Sequence, residues 1–119
     1  MINEKYYLIM LFDFYGNLLT SNQKNILDLY CNYDLSLGEI SEIKNISRQA
    51  VYDTVKRSGD KLKNFEKKLE LVERFGIVRS SLGDFSELII KIEKNISDDV
   101  TKKNIEKLKN MVDEIVKIY

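Results

Sequence analysis

LSLGEISEIKNISRQAVYDTVKR, residues Leu35 to Arg57, decides how the rest of the chain is read. Ser36 is placed to cap a helix, and Glu39, three residues on, can return its carboxylate to the cap's own backbone N–H. Leu35 and Ile40 flank that box at the two positions of a hydrophobic staple. Asn45 falls where a turn needs a residue that tolerates left-handed backbone angles, and Ile46 is placed to plug the gap between two helices. Ser47 offers a second N-cap, after which Ala50, Val51 and Val55 share one face and leave Arg48, Gln49, Tyr52, Asp53 and Lys56 pointing away. Helix, tight turn and second helix at this spacing make a helix-turn-helix, the unit that presents its second helix to a duplex groove.

Outward from this stretch the pattern stays helical. Proline is absent, glycine occurs only five times, and apolar residues recur at intervals of three and four, so the expectation is an all-α chain. A first helix is predicted over about Asn3 to Phe14, with Tyr7, Leu8, Leu11, Phe12 and Tyr15 as its apolar stripe and Gly16 with Asn17 closing it. Thr20, with Gln23 as its capping-box partner, opens a second helix carrying Ile26, Leu27, Leu29 and Tyr30 and ending near Asn32 to Asp34. These two pack the motif from behind, giving a four-helix N-terminal module over residues 1–75.

Toward the C-terminus, Val55, Leu62, Phe65, Leu69 and Val72 form a heptad-like seam that carries the motif's second helix about four turns further, a long extended fourth helix. Gly59 interrupts the seam at a cost of roughly 1 kcal/mol relative to alanine. The alternative is a break there, with Asp60 capping a fresh helix. The seam needs a cover, either the C-terminal helices or a second copy of the chain, and its length favours a homodimer. Gly76 to Gly83, GIVRSSLG, reads as an internal linker. Residues 76–119 then form a helical hairpin. Its first helix starts at about Asp84 with Phe85, Leu88, Ile89 and Ile92 inward. Ser97 or Asp98 caps the second, which turns Val100, Ile105, Leu108, Met111, Val112, Ile115 and Ile118 inward.

A length of 119 residues suits one domain, or one compact domain with an appended hairpin. With 44% hydrophobic and 32% charged residues the chain is globular rather than disordered. No apolar run approaches the roughly 18 to 20 residues that span a bilayer, and acidic Glu4 stands among the first residues without a signal-peptide core. A cytoplasmic protein without membrane insertion is expected. Cys31, the single cysteine, lies in the apolar run ILDLYCNY and reads as a small buried hydrophobe. Histidine is absent altogether, which removes the usual general base at neutral pH, the usual nucleophile activator and the commonest zinc ligand. No glycine-rich phosphate loop, metal-spaced cysteine pair or nucleophile elbow is present. The chain is therefore expected to be no enzyme and to need no cofactor or metal.

Lysine and arginine number 19, as do aspartate and glutamate, yet the balance is local as well as global only after Gly76, where eight basic residues meet eight acidic ones. From Arg48 to Lys68 there are seven basic residues against three acidic, Asp53, Asp60 and Glu66. Nucleic-acid contact, if made, belongs to the motif's second helix and its extension, with Ser47, Arg48, Gln49, Tyr52, Lys56, Arg57 and Lys61 as the candidate residues. Asp53 opposes phosphate in the middle of that face, which points to a partner other than a simple promoter.

NLLTSNQKNILDLYCNYDLSLGEISE and ISRQAVYDTVKRSGDKLKNFEKKLELVERF, in this order, closely resemble the YlxM family of small bacterial proteins. The resemblance covers about residues 5 to 75, and DLSLGEI, then SRQAVYD, then FEKKL, is its signature. It implies a helix-turn-helix like that of the promoter-reading domain of sigma factors. Genes of that family typically neighbour those of the signal recognition particle GTPase and its receptor. The implied function is regulation of that targeting pathway through the particle's RNA, its GTPase or both, with duplex DNA as the alternative partner of a dimeric transcriptional regulator. Two positions depart from the family pattern: Lys44 stands where an apolar residue precedes the turn, and Gly59 where a good helix former is usual.

Overall fold

The structure, a computed structural model, describes residues 4–118. Their regular structure is entirely helical, as the spacing predicts: α1 (Glu4–Tyr15), α2 (Ser21–Cys31), α3 (Leu37–Lys44), α4 (Arg48–Leu69), α5 (Leu71–Glu93) and α6 (Asp99–Ile118). A 3-10 turn over Gly16–Leu18 closes α1. Asn3, the expected start of that helix, lies outside the described residues. The chain divides into two compact units, one ending at Val72 and the other beginning at Glu73.

In the N-terminal unit the apolar stripes fill two clusters, the larger of them built on α1. Leu11, Phe12 and Tyr15 of α1 meet Leu27 and Cys31 of α2 and Leu62 of α4, with Val55 and Phe65 packed against them. Val55, Leu62 and Phe65 of the seam are thus covered by the chain's own α1 and α2, and neither the C-terminal helices nor a second copy is needed there. The homodimer expected from the seam's length loses that support. α4 runs unbroken through Gly59, so no fresh helix begins at Asp60. A Cβ at Gly59 would meet Leu8 Cδ1 at 3.4 Å, ordinary van der Waals contact that α1 can accommodate. Ser58 beside it is fully buried, and its hydroxyl has no hydrogen-bond partner among the described residues.

α4 ends one turn earlier than the seam implies. Glu70 takes a left-handed conformation (φ 56°) and caps the helix, leaving Leu69 exposed. The break is fastened from α1. The Tyr15 hydroxyl donates to Glu66 Oε1 at 2.6 Å and accepts from the Leu71 N–H at 3.0 Å. Glu66 Oε1 also accepts from the Val72 N–H at 3.0 Å. Two N–H groups at the start of α5 are satisfied this way. Burial, reinforced by the Glu66 carboxylate, raises the Tyr15 pKa above the usual phenol value.

GIVRSSLG is helix and not linker: α5 passes straight through it. None of its glycines uses a positive φ, and a Cβ at Gly76 or Gly83 would meet nothing within 4 Å, so they lower helix propensity without demanding a turn. In the C-terminal unit, Ile89 of α5 packs on Ile105 and Val112 of α6, with Leu82 and Ile96 alongside. The Asp98 carboxylate caps α6, accepting from the Thr101 N–H at 2.8 Å. Hydrogen bonds from the Thr101 hydroxyl and N–H hold that carboxyl below its ordinary value. Phe85, Leu88 and Ile92, expected inward, are exposed, as are Val100, Leu108, Met111, Ile115 and Ile118. Two helices facing one another bury one row from each, and the apolar residues occupy more rows than that.

Candidate nucleic-acid interface

Local chemistry builds the motif as its residues require. Ser36 Oγ accepts from the Glu39 N–H at 3.1 Å, and Glu39 Oε1 accepts from the Ser36 N–H at 3.0 Å. Those bonds to Ser36 hold the Glu39 carboxyl below its usual value. Asn45 sits at φ 55°, ψ 45°, and the Ile46 N–H returns to the Ser41 carbonyl at 3.1 Å, closing α3 in the manner of a left-handed C-cap. Ser47 Oγ accepts from the Ala50 N–H at 3.0 Å and starts α4. Ile46 does not plug the gap between α3 and α4; it is exposed. Ile26 of α2 already fills that space, fully buried with Ile40 and Val51 and joined by Leu35 and Leu37.

Arg48, Gln49, Tyr52, Asp53, Lys56 and Arg57 all stand exposed on α4, and Tyr52 keeps 48% of its surface in solvent. At about 100° per residue these side chains spread round the helix instead of forming one patch. Asp53 and Asp60 run down the centre of the solvent face. Arg48, Tyr52, Lys56 and Lys63 lie on one flank and Arg57 on the other, while Lys61 turns further and is half-buried. Gln49 Nε2 donates to Asp53 Oδ1 at 3.1 Å, so the amide expected to meet base edges is engaged within the face.

The flank with Tyr52 borders a groove of about 530 Å³. Its walls bring Tyr52, Lys56, Asp60 and Lys63 of α4 together with Lys5 of α1 and Tyr30 of α2. Lys5 pairs with Asp34 and stands 4.5 Å from the centre of the Tyr30 ring. The hydrogen bond to Asp34 raises the Lys5 pKa and depresses that of Asp34. Lys63 reaches Glu4 at 3.7 Å. The Lys63 position was legible from helical spacing, two turns beyond Lys56 on the same flank. The arrival of Lys5 and Tyr30 was not, because no local spacing reports a neighbour from another helix.

Such an arrangement can hold phosphate on Arg48, Lys56 and Lys63 and stack a ring on Tyr52. The Ser47 hydroxyl, with its oxygen committed to the cap, keeps its proton to donate. Among the described residues no group of three His, Cys, Asp or Glu could hold a metal ion. Burial pushes the Cys31 thiol up to about 11, which leaves it a packing residue and not a nucleophile.

The family described as "UPF0122: Putative helix-turn-helix protein, YlxM / p13 like" matches residues 2–111. A UPF0122 protein of Thermoanaerobacter sp. (strain X514) is 40% identical over 97% of this chain and 98% of its own length. One of Desulforamulus reducens is 39% identical over 95% of this chain and 97% of its own. Another, of Clostridium perfringens, is 38% identical over 93% and 98% respectively. With the capped helix-turn-helix in place and relatives matched nearly end to end, the chain belongs to the UPF0122 family of YlxM / p13-like helix-turn-helix proteins.

Proposed function

We propose that this protein is a non-enzymatic, cytoplasmic regulator of co-translational membrane targeting that binds the signal recognition particle, its RNA first of all, through the exposed face of α4. The observation that carries the reading is the mixed character of that face: cations on its flanks, Tyr52 in solvent beside a groove, and two carboxylates down its centre. A helix pressed into a major groove would bring Asp53 and Asp60 toward phosphate or base edges. An RNA surface with unstacked bases can meet the Tyr52 flank and leave Asp53 in water, with Asp60 at the groove wall beside Lys56 and Lys63. The resemblance to proteins encoded beside the targeting GTPase and its receptor supports the same partner.

Affinity purification of the chain from cell lysate, with RNA and protein both identified, tests the proposal. Enrichment of the particle's RNA or GTPase is expected, and enrichment of neither removes the proposal. A second reading, a sequence-specific DNA-binding regulator, is favoured by the α3–turn–α4 geometry and the helix-turn-helix family. Selection from random duplex DNA separates the two: an enriched motif establishes the second reading, and its absence leaves the first.

A further inference from the structure

The groove between α4 and α1 offers more than a row of cations, and we infer that it takes one unpaired base of an RNA strand, a base that carries an exocyclic amine. The inference rests on the reading that the α4 face meets RNA, and it names what that face recognises.

Every wall of the groove belongs to the N-terminal unit. Its volume of 530 Å³ lies within the roughly 300 to 1,000 Å³ of small-ligand sites. Leu8, Leu37, Val55 and Gly59 line it with apolar surface, which gives a phosphate nothing to bond and suits the flat face of a base. Tyr52, 48% exposed, stands at its edge as a stacking platform. Tyr30 offers less, because Lys5, held by Asp34, lies 4.5 Å from the centre of its ring and covers one face.

Gly59 is an independent sign of an occupant. α4 passes through it without a positive φ, and the one atom a Cβ would meet within 4 Å is Leu8 Cδ1, at 3.4 Å. Neither the backbone nor the packing of α1 on α4 requires a glycine there, and helix propensity opposes one. What the missing side chain provides is depth in the groove.

The charges select the ligand. Asp60 stands in the wall with Lys56 and Lys63. Lys63 reaches Glu4 at 3.7 Å, whereas the Lys56 and Asp60 side chains have no hydrogen-bond or ion-pair partner among the described residues. An acidic peptide has no use for Asp60, and a basic one has none for Lys56. An amine-bearing base joined to phosphate uses both: its amine donates to the carboxylate, as that of cytosine does to acidic side chains, and its phosphate lies on the ammonium groups. Arg48 continues the row of cations on the same flank. Arg48 to Lys63 spans about 22 Å of helix axis, longer than one nucleotide and matched by a run of phosphates, so the ligand is a strand and not a free nucleotide.

Anisotropy of the full chain with fluorescein-labelled octacytidylate and octauridylate tests this. Octacytidylate is expected to bind at least fivefold more tightly than octauridylate, which has no exocyclic amine. Asp60→Ala should bring that ratio within twofold; the ratio is insensitive to the gain in affinity that losing an anion gives both strands. Tyr52→Leu should weaken octacytidylate binding at least tenfold, and Tyr52→Phe less than twofold. Gly59→Ala should weaken it at least threefold while raising the melting temperature, a combination that damage to the fold does not produce. Cytidine monophosphate should compete only at concentrations at least a hundredfold higher than unlabelled octacytidylate. Wild type that binds the targeting particle's RNA without preferring either octamer overturns the inference and leaves the RNA reading standing. The same holds for a preference that survives Asp60→Ala, for a more stable Gly59→Ala chain that binds octacytidylate as wild type does, and for monophosphate that competes as well as the octamer. Wild type that binds none of these RNAs removes both.

Discussion

Gln49 and Asp53 are joined by a 3.1 Å hydrogen bond one turn apart on the exposed face of α4. The carboxylate holds the amide within the face and places a negative charge among the cations that would meet phosphate. Asp53→Asn keeps an acceptor for Gln49 and removes the charge. Nucleic-acid affinity is expected to rise by about 1 kcal/mol, roughly fivefold. Fluorescence anisotropy at fixed salt reads it, and an unchanged dissociation constant would show that the ligand does not lie along this face.

Tyr15→Phe tests the knot that ends α4. The variant leaves the Leu71 N–H without the acceptor it now has at 3.0 Å and takes the donor from Glu66. A loss of about 1 to 3 kcal/mol in urea unfolding is expected, with faster exchange at the Leu71 amide. Glu66→Gln retains an oxygen for both donors and should cost less.

Two glycines should respond in opposite directions. At Gly59 a methyl makes ordinary contact with Leu8, so Gly59→Ala is expected to raise stability by about 0.5 to 1 kcal/mol through helix propensity. At Gly16 a Cβ would lie 2.9 Å from Phe12 Cε2, in a ring that is buried. Gly16→Ala should therefore destabilise by about 1 to 3 kcal/mol, because the ring has little room to give way. Thermal melts of the two variants against wild type settle both signs.

Cys31 is raised by burial from 9.0 to about 11. Between those values the unfolded chain has released the thiol proton and the folded chain still holds it, so this group's contribution to stability is present below pH 9 and is lost as pH rises toward 11. Cys31→Ala should lose that part of the alkaline decline when the two chains are compared by urea unfolding across the window. Alkylation of native wild type by iodoacetamide near pH 8 should also run at least about a hundredfold slower than in denaturant.

The parts of the fold legible in the sequence are those held by bonds spanning three or four residues. Thr20 with Gln23, Ser36 with Glu39, the left-handed Asn45 and the Ser47 cap all stand where their chemistry places them. What escaped depends on distant partners. The break at Glu70 needs Tyr15 from α1, and the seam on α4 gives no sign in itself that α1 covers it. GIVRSSLG misleads because two glycines weaken a helix without ending it when neither needs a positive φ. At the candidate site, exposure of Arg48, Tyr52 and Lys56 follows from helical spacing. The groove shared with Lys5 and Tyr30 does not.

The most direct measurement is a salt titration of the full chain binding the RNA of the signal recognition particle, followed by anisotropy. Wild type should bind at low micromolar concentration and weaken steeply between about 50 and 200 mM salt. The combined variant Arg48→Glu, Lys56→Glu, Arg57→Glu should lose at least about tenfold and show a shallower salt slope. Lys63→Ala, on the groove flank, should weaken binding, and half-buried Lys61→Ala should not. Absence of binding at low salt, or a triple variant that binds as wild type does, would contradict an RNA-reading role for the α4 face.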